Sequence, residues 1–201
     1  MFFKKGKSFR KDDLKSVIEA CLRKDPEAEQ LLIEMHLAYA KSIAMRYSGS
    51  KQEAEEIVYD GFLKVLLFLQ KFDLSKPFQP WLKSIVIHCA LDHYRKYNKH
   101  SGLADVNDLA LEDLEPNIFD KLSAHDILDL VRLLPPSYRT VFVLYAVDGY
   151  SHREIAALLN IREGTSKSNL RDARRKLQEL IRIRYPQTYF AYSIHNKLNE
   201  N

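Results

Sequence analysis

Apolar residues recur along this chain with the period of a helix and almost nowhere with that of a strand. Leu14, Val17, Ile18, Cys21 and Leu22 set the spacing, and Leu32, Met35, Tyr39 and Ile43 repeat it. Between them Asp25-Pro26 reads as an N-cap followed by a first-turn proline, whose missing amide donor would be unpaired there anyway. Gly49 is expected to stop the second helix. Ser50 and Glu53 then predict a capping box, ahead of the stripe Ile57, Val58, Gly61, Phe62, Val65, Leu66 and Leu69. Gly61 costs that helix ~1 kcal/mol relative to Ala, which points to close approach by a neighbouring helix. After a break from Phe72 to Pro80, a fourth helix is predicted from near Trp81 through Leu82, Ile85, Val86, Cys89 and Ala90 to Arg95 and Lys96.

The stretch from Leu134 to Leu180 is the most informative. Pro135 and Pro136 open a helix whose buried face is expected at Val141, Phe142, Tyr145 and Ala146, with Gly149 ending it. Ser151 and Glu154 predict a second capping box, before the short stripe Ile155, Ala156 and Leu159. Asn160 stands where a tight turn needs left-handed dihedrals, which Asn tolerates better than most residues. Thr165 is expected to cap a last helix with Leu170, Ala173, Leu177 and Leu180 inside and Lys167, Arg171, Arg174, Arg175 and Lys176 outside. A short helix, a tight turn and a basic helix with a polar tip fit a DNA major groove. Thr165, Ser166, Lys167 and Asn169 would meet base edges at its leading end, and Arg171, Arg174 and Arg175 would meet phosphates further along.

The fold class is therefore all-α, with two helical domains joined by a flexible acidic linker. The expected layout is a basic tail at 1–9, a helical bundle at 10–98, the linker at 99–123, a helix-turn-helix domain at 124–184 and a tail at 185–201. A chain of 201 residues with 46% hydrophobic content can fill two such cores. No apolar run approaches the ~18 residues of a membrane span, and the basic N-terminus lacks the apolar stretch of a secretory signal. The two cysteines, Cys21 and Cys89, suit a reduced cytoplasmic protein better than a disulfide framework.

Charge changes the picture through its distribution more than through its net value of +4. Positive residues concentrate at 4–15, 83–99 and 162–184, and an acidic segment with Asp105, Asp108, Glu112, Asp113, Glu115 and Asp120 separates the last two. Two basic surfaces on an acidic tether suggest two modules gripping one polyanion. Two features of the first domain stay open between packing and function. Glu53, Glu55, Glu56 and Asp60 either favour their helix through its macrodipole or form an acidic docking face for a basic partner. In the loop from Phe72 to Pro80, Phe72 and Trp81 either pin the segment to the core or wall a cradle for an unstacked base, with Lys83, Arg95 and Lys96 on the backbone.

Three stretches match one pattern, in order. Glu53 to Val65 (EAEEIVYDGFLKV) resembles the core-polymerase-binding helix of bacterial sigma factors. Phe78 to Ile85 (FQPWLKSI), with Ala90 to Lys96 (ALDHYRK), resembles their promoter-melting and minus-ten-reading helix. Leu134 to Leu180 resembles their minus-thirty-five-reading helix-turn-helix, and the short linker resembles the two-domain extracytoplasmic-function branch of the sigma-70 family. The resemblance implies a dissociable subunit of core RNA polymerase that supplies promoter recognition and melting, has no chemistry of its own and needs no cofactor or metal. It implies that Glu53, Glu56, Asp60 and Lys64 face the polymerase, chiefly its beta-prime subunit, with beta as a further partner. The loop with Asp73, Ser75, Phe78 and Gln79 would capture a flipped minus-ten base, with Lys83, His88, Arg95 and Lys96 nearby on promoter DNA. Arg153, Arg162, Thr165, Ser166, Lys167, Asn169 and Arg171 would approach the minus-thirty-five groove, with Arg174 and Arg175 nearer phosphates. The linker would thread the RNA path, and an anti-sigma protein is a further implied partner. Ser166 stands where the family commonly has Val, Asn169 where it has Arg and Asn160 where it has Gly, so the upstream sequence preference is this chain's own.

The rival reading is a stand-alone helix-turn-helix regulator, for which the acidic helix and the loop at 72–80 have no evident use. An enzyme is the weaker rival. The chain has no Gly-rich phosphate loop, no zinc spacing among its cysteines and histidines, and no nucleophile constellation.

Overall fold

Five of the helices start where the sequence hands a backbone amide a side-chain acceptor. These positions are seen in a computed structural model that describes residues 9–97, 122–187 and 189. Asp13 caps α1 (Leu14–Leu22), Asp25 caps α2 (Pro26–Tyr47) with Pro26 in its first turn, and Ser50 caps α3 (Lys51–Phe68). A 3-10 turn at Leu69–Lys71 leads to α4 (Phe78–Tyr97). Ser123 caps α5 (Ala124–Arg132), Pro135 and Pro136 open α6 (Pro136–Phe142), and a π-helical turn, Val143–Val147, extends it. Ser151 caps α7 (His152–Leu159), and α8 (Glu163–Arg184) follows. The acidic linker and most of both tails fall outside the described residues.

The chain forms two compact units that divide within α4, between His93 and Tyr94. In the first, α1 packs on α2 and α2 on α3, around Val17, Ile18, Leu32, Ile43 and Ile57. The fourth helix contributes Leu82, Val86, Ile87 and Leu91 to that core. Gly61 explains how α3 and α4 come so close: a Cβ there would sit 3.3 Å from Val86 Cγ2. In the second unit α6 and α7 pack on α8, over Val141, Leu144, Ile155, Leu170, Ala173 and Leu177. The Tyr185 hydroxyl donates to Asp126 Oδ1 at 2.9 Å and ties the end of α8 to the start of α5.

Several expectations shift. The fourth helix begins at Phe78 rather than near Trp81, and α8 begins at Glu163 with Arg162 as N-cap, so Thr165 lies inside its first turn. Glu53 reaches back to the Gly49 amide (2.7 Å) rather than to that of Ser50, so the capping box of α3 is displaced by one residue. Met35 and Leu22 are exposed, and His36 takes the inward position on α2, with Nδ1 3.0 Å from the Leu32 carbonyl. Tyr145 and Ala146 are exposed while Val143 and Leu144 are buried. The cause is the π turn, whose wider hydrogen bond (Asp148 amide to Val143 carbonyl, 3.0 Å) rotates the face that a regular helix would bury. Asn160 adopts the left-handed conformation expected of it (φ 54°, ψ 49°), and Gly149 (φ 77°) follows the π turn.

Candidate functional site

The first surface lies on α3. Glu53, Glu56, Asp60 and Lys64 succeed one another at intervals of three and four residues, so they form one stripe along the helix. Two of its polar groups are tethered across to α4. Lys64 Nζ donates to Asp92 Oδ2 at 2.8 Å, a bond that raises the pKa of the lysine, and His93 Nε2 lies 3.3 Å from Asp60 Oδ2. Glu56 projects into solvent. Beside the stripe runs a feature that sequence reasoning missed, an apolar groove of about 500 Å³ between α2 and α3 lined by Leu37, Val58, Tyr59, Phe62, Leu63 and Leu66. Tyr59 is 72% exposed, and Leu37, Leu63 and Leu67 also face solvent. The available signal was the surplus of apolar residues on α3, more than one buried stripe can hold. Lys41 and Glu55 pair across one end of the groove at 3.4 Å.

The second set surrounds the loop before α4 and the helix itself. Asp73 organises the loop, accepting from the Ser75 amide (3.0 Å) and hydroxyl (2.7 Å), and these bonds hold its carboxyl below the usual carboxylate range. Gln79 is exposed in the first turn of α4. Phe78 is not available on the surface as expected. It is 3% exposed, edge-on to His36 (4.7 Å) and Phe72 (5.4 Å) and tilted against Trp81 (5.6 Å). This aromatic cluster anchors the loop to the core. Further along α4, Lys83 is half-buried, while His88, Arg95 and Lys96 are exposed, with Lys96 Nζ 5.2 Å above the Tyr97 ring. The His88 Nδ1–H donates to the Ser84 carbonyl at 2.6 Å, which leaves Nε2 outward.

The third surface is the leading half of α8 with its neighbour α7. Arg153, Arg162 and Lys167 are exposed, and Thr165, Asn169, Arg171 and Arg174 are half-exposed. Lys167 pairs with Glu163 one turn back at 3.0 Å, which pulls the pKa of Glu163 down. Ser166 does not belong with them. It is 0% exposed, four residues before Leu170 in the same inward stripe, and its hydroxyl lies 2.9 Å from His152 Nδ1. The i, i+4 spacing to Leu170 was the signal for this, outweighed by the polar residue type. Asp172, which the sequence did not single out, is 3% exposed, with Oδ1 3.5 Å from Arg175 Nη2 and 3.7 Å from Arg171 Nε. It holds two guanidinium groups beside the helix.

Among the described residues no group of three or more His, Cys, Asp and Glu could hold a metal ion, and no helix is long and apolar enough to cross a membrane. Burial pushes the Cys21 thiol up to about 11 and raises the Cys89 thiol, so neither is a ready nucleophile.

Comparison with known proteins finds two family matches. Residues 32–100 match sigma-70 region 2, and residues 124–177 match sigma-70, region 4. The chain is 25% identical over 181 residues to the ECF RNA polymerase sigma factor SigW of Bacillus subtilis, covering 84% of this chain and 97% of that one. It is 26% identical over 183 residues to the RNA polymerase sigma-H factor of Pseudomonas aeruginosa, covering 83% and 94%. Among solved structures it is similar to the sigma factor RpoE of Bartonella quintana, crystallised with the anti-sigma factor NepR (TM-score 0.46, 22% identity, 77% and 97% covered).

Proposed function

The chain belongs to the sigma-70 family, in its extracytoplasmic-function branch, and from that premise we propose that it docks on core RNA polymerase through α3 and directs promoter-specific initiation in the cytoplasm. The observation that carries this reading is the α3 surface. An acidic stripe beside an open apolar groove is of no use on DNA, and a regulator that binds an operator alone has no need of it. Glu53, Glu56 and Asp60 steer the surface toward a basic partner on beta-prime, and Leu37, Tyr59 and Leu63 supply the desolvated centre that a stable interface requires.

In this reading the Asp73–Ser75 turn and Gln79 receive an extruded minus-ten base, with the aromatic cluster behind Phe78 as the rigid floor of the loop. Lys83, His88, Arg95 and Lys96 attend the DNA along α4. Upstream, the half of α8 that carries Thr165, Lys167 and Asn169 reads the minus-thirty-five element, with Arg153, Arg162 and Arg171 at the same groove and Arg174 and Arg175 nearer phosphates. Ser166 drops out of that set because it is buried. An anti-sigma protein belongs to the partner set the family implies. The test is equilibrium binding of the full chain to core polymerase. Wild type is expected to bind and Glu56→Arg to bind roughly tenfold more weakly with unchanged folding. Equal affinity would remove the docking role from α3.

A further inference from the structure

The inner face of α8 carries a hydroxyl where apolar packing is the rule. Ser166 precedes Leu170, Ala173 and Leu177 in one buried stripe, and it is wholly enclosed. Its partner comes from another helix: Nδ1 of His152, the first residue of α7, lies 2.9 Å from Ser166 Oγ. The imidazole is in turn stacked on Tyr145, with ring centroids 4.6 Å apart and planes 20° from parallel. Tyr145 stands in the π turn, the irregularity that turns its ring outward to meet His152. One imidazole therefore joins the π turn, the start of α7 and the first turn of α8. Burial and Lys167 lower its pKa, as does Arg174, against the opposing Glu163, which favours the neutral ring with one donor and one acceptor nitrogen.

Building on α8 as the minus-thirty-five-reading helix, we propose that His152 is a positioning residue for upstream promoter recognition. Acting through Ser166, it fixes the depth and rotation of the first turn of α8, and with them Thr165, Lys167 and Asn169. Base-edge hydrogen bonds demand placement within about half an ångström, and a directional bond from a neighbouring helix supplies it where sliding apolar contact does not. Without the imidazole, the Ser166 hydroxyl has the carbonyl of Arg162 one turn back on its own helix, and bonds of that kind bend helices. The bend would fall under the reading residues.

The test uses the full chain with core polymerase. Wild type, His152→Phe and the double variant His152→Phe/Ser166→Val are compared on promoters mapped with the wild type, intact and with the upstream element scrambled. Phe keeps a ring against Tyr145 and loses only the hydrogen bond. The intact-to-scrambled transcription ratio is expected to fall about tenfold in His152→Phe. It is expected to recover to within about twofold of wild type in the double variant, because two apolar side chains can replace a bonded polar pair. An unchanged ratio in the single variant, or a double variant no better than the single, overturns the proposal. Equal loss on both templates overturns it too, since His152 would then merely hold the fold. If the wild type directs no initiation, the sigma reading fails separately. The ratio is then measured as affinity for the chain's selected duplex over a random one, and the same changes in it support or overturn the role of His152.

Discussion

The two units differ in the ion pairs that join one helix to another, even though Lys51–Glu55 in the first runs along α3 alone. In the first, Lys41–Glu55, Lys64–Asp92 and Asp60–His93 run from one helix to another. In the second, Glu163–Lys167, Asp172–Arg175 and Lys176–Glu179 run along α8 itself. Pairs of the first kind fix how helices sit beside each other and keep a docking face in shape. Of the second kind, Glu163–Lys167 and Lys176–Glu179 are exposed, contribute about 0–1 kcal/mol each and release a cation readily to a phosphate, while the buried Asp172 keeps its guanidinium partners in place. One unit presents a fixed surface with apolar area to bury, and the other presents cations ready to change partners. That difference is what a subunit would need if its first unit holds a protein as well as DNA and its second reads DNA alone.

The sharpest way to break this contrast is Phe78→Ala. If Phe78 is the floor of the first unit's loop, the change costs about 3–5 kcal/mol of stability, read as a lowered urea midpoint followed by Trp81 fluorescence. A variant as stable as wild type that fails only in promoter opening would return Phe78 to the DNA. Leu63→Asp comes next. The residue is 48% exposed, so folding should be unaffected, while core-polymerase affinity drops by about 2 kcal/mol, roughly thirtyfold. Unaltered binding would leave the groove without a role in docking.

Lys167→Ala tests the other unit, with an expected loss of about 1–2 kcal/mol in promoter activity that arises chiefly through the upstream element. If scrambling that element harms the variant as much as the wild type, Lys167 is not reading it. The smallest effect is a pH dependence. His152 has its pKa lowered from 6.5 in the fold, so the unfolded chain takes up that proton first, and the second unit loses stability as pH falls below about 6.5. Lys167 and Arg174 strengthen this trend and Glu163 opposes it. Glu154 and Glu163, held below their ordinary 4.5 by hydrogen bonds from Ser151 and Lys167, add a second decline as pH falls through their lowered values. Amide NMR signals of α7 and α8 in urea at stepped pH follow both declines, and His152→Phe should abolish only the first.

Most helices were legible in the sequence because their signals are local. Asp25-Pro26, Ser151 with Glu154, and the left-handed Asn160 each act within a few residues, and each stands where the sequence placed it. Gly61 was legible for the same reason, since a glycine inside a helix needs a neighbour to account for it. What escaped depends on more distant partners. The π turn has no signal of its own in the residue types, and it reverses the exposure of Tyr145 and Leu144. Phe78 and Ser166 were placed on surfaces by their chemistry, an aromatic beside a basic helix and a hydroxyl at a helix tip. Burial by His36, Phe72 and Trp81 in one case, and a bond from His152 in the other, decide otherwise. The groove was missed because apolar residues on a helix are assigned to the core by default, and α3 carries more than its core accepts.

The central claim is a chain that joins polymerase to promoter, and start-site mapping with purified core RNA polymerase on genomic DNA fragments tests it most directly. Discrete starts that appear only when both proteins are present, with a shared pair of elements upstream, are the predicted result. Tight duplex binding by the chain alone, with no starts from a competent core enzyme, would contradict it.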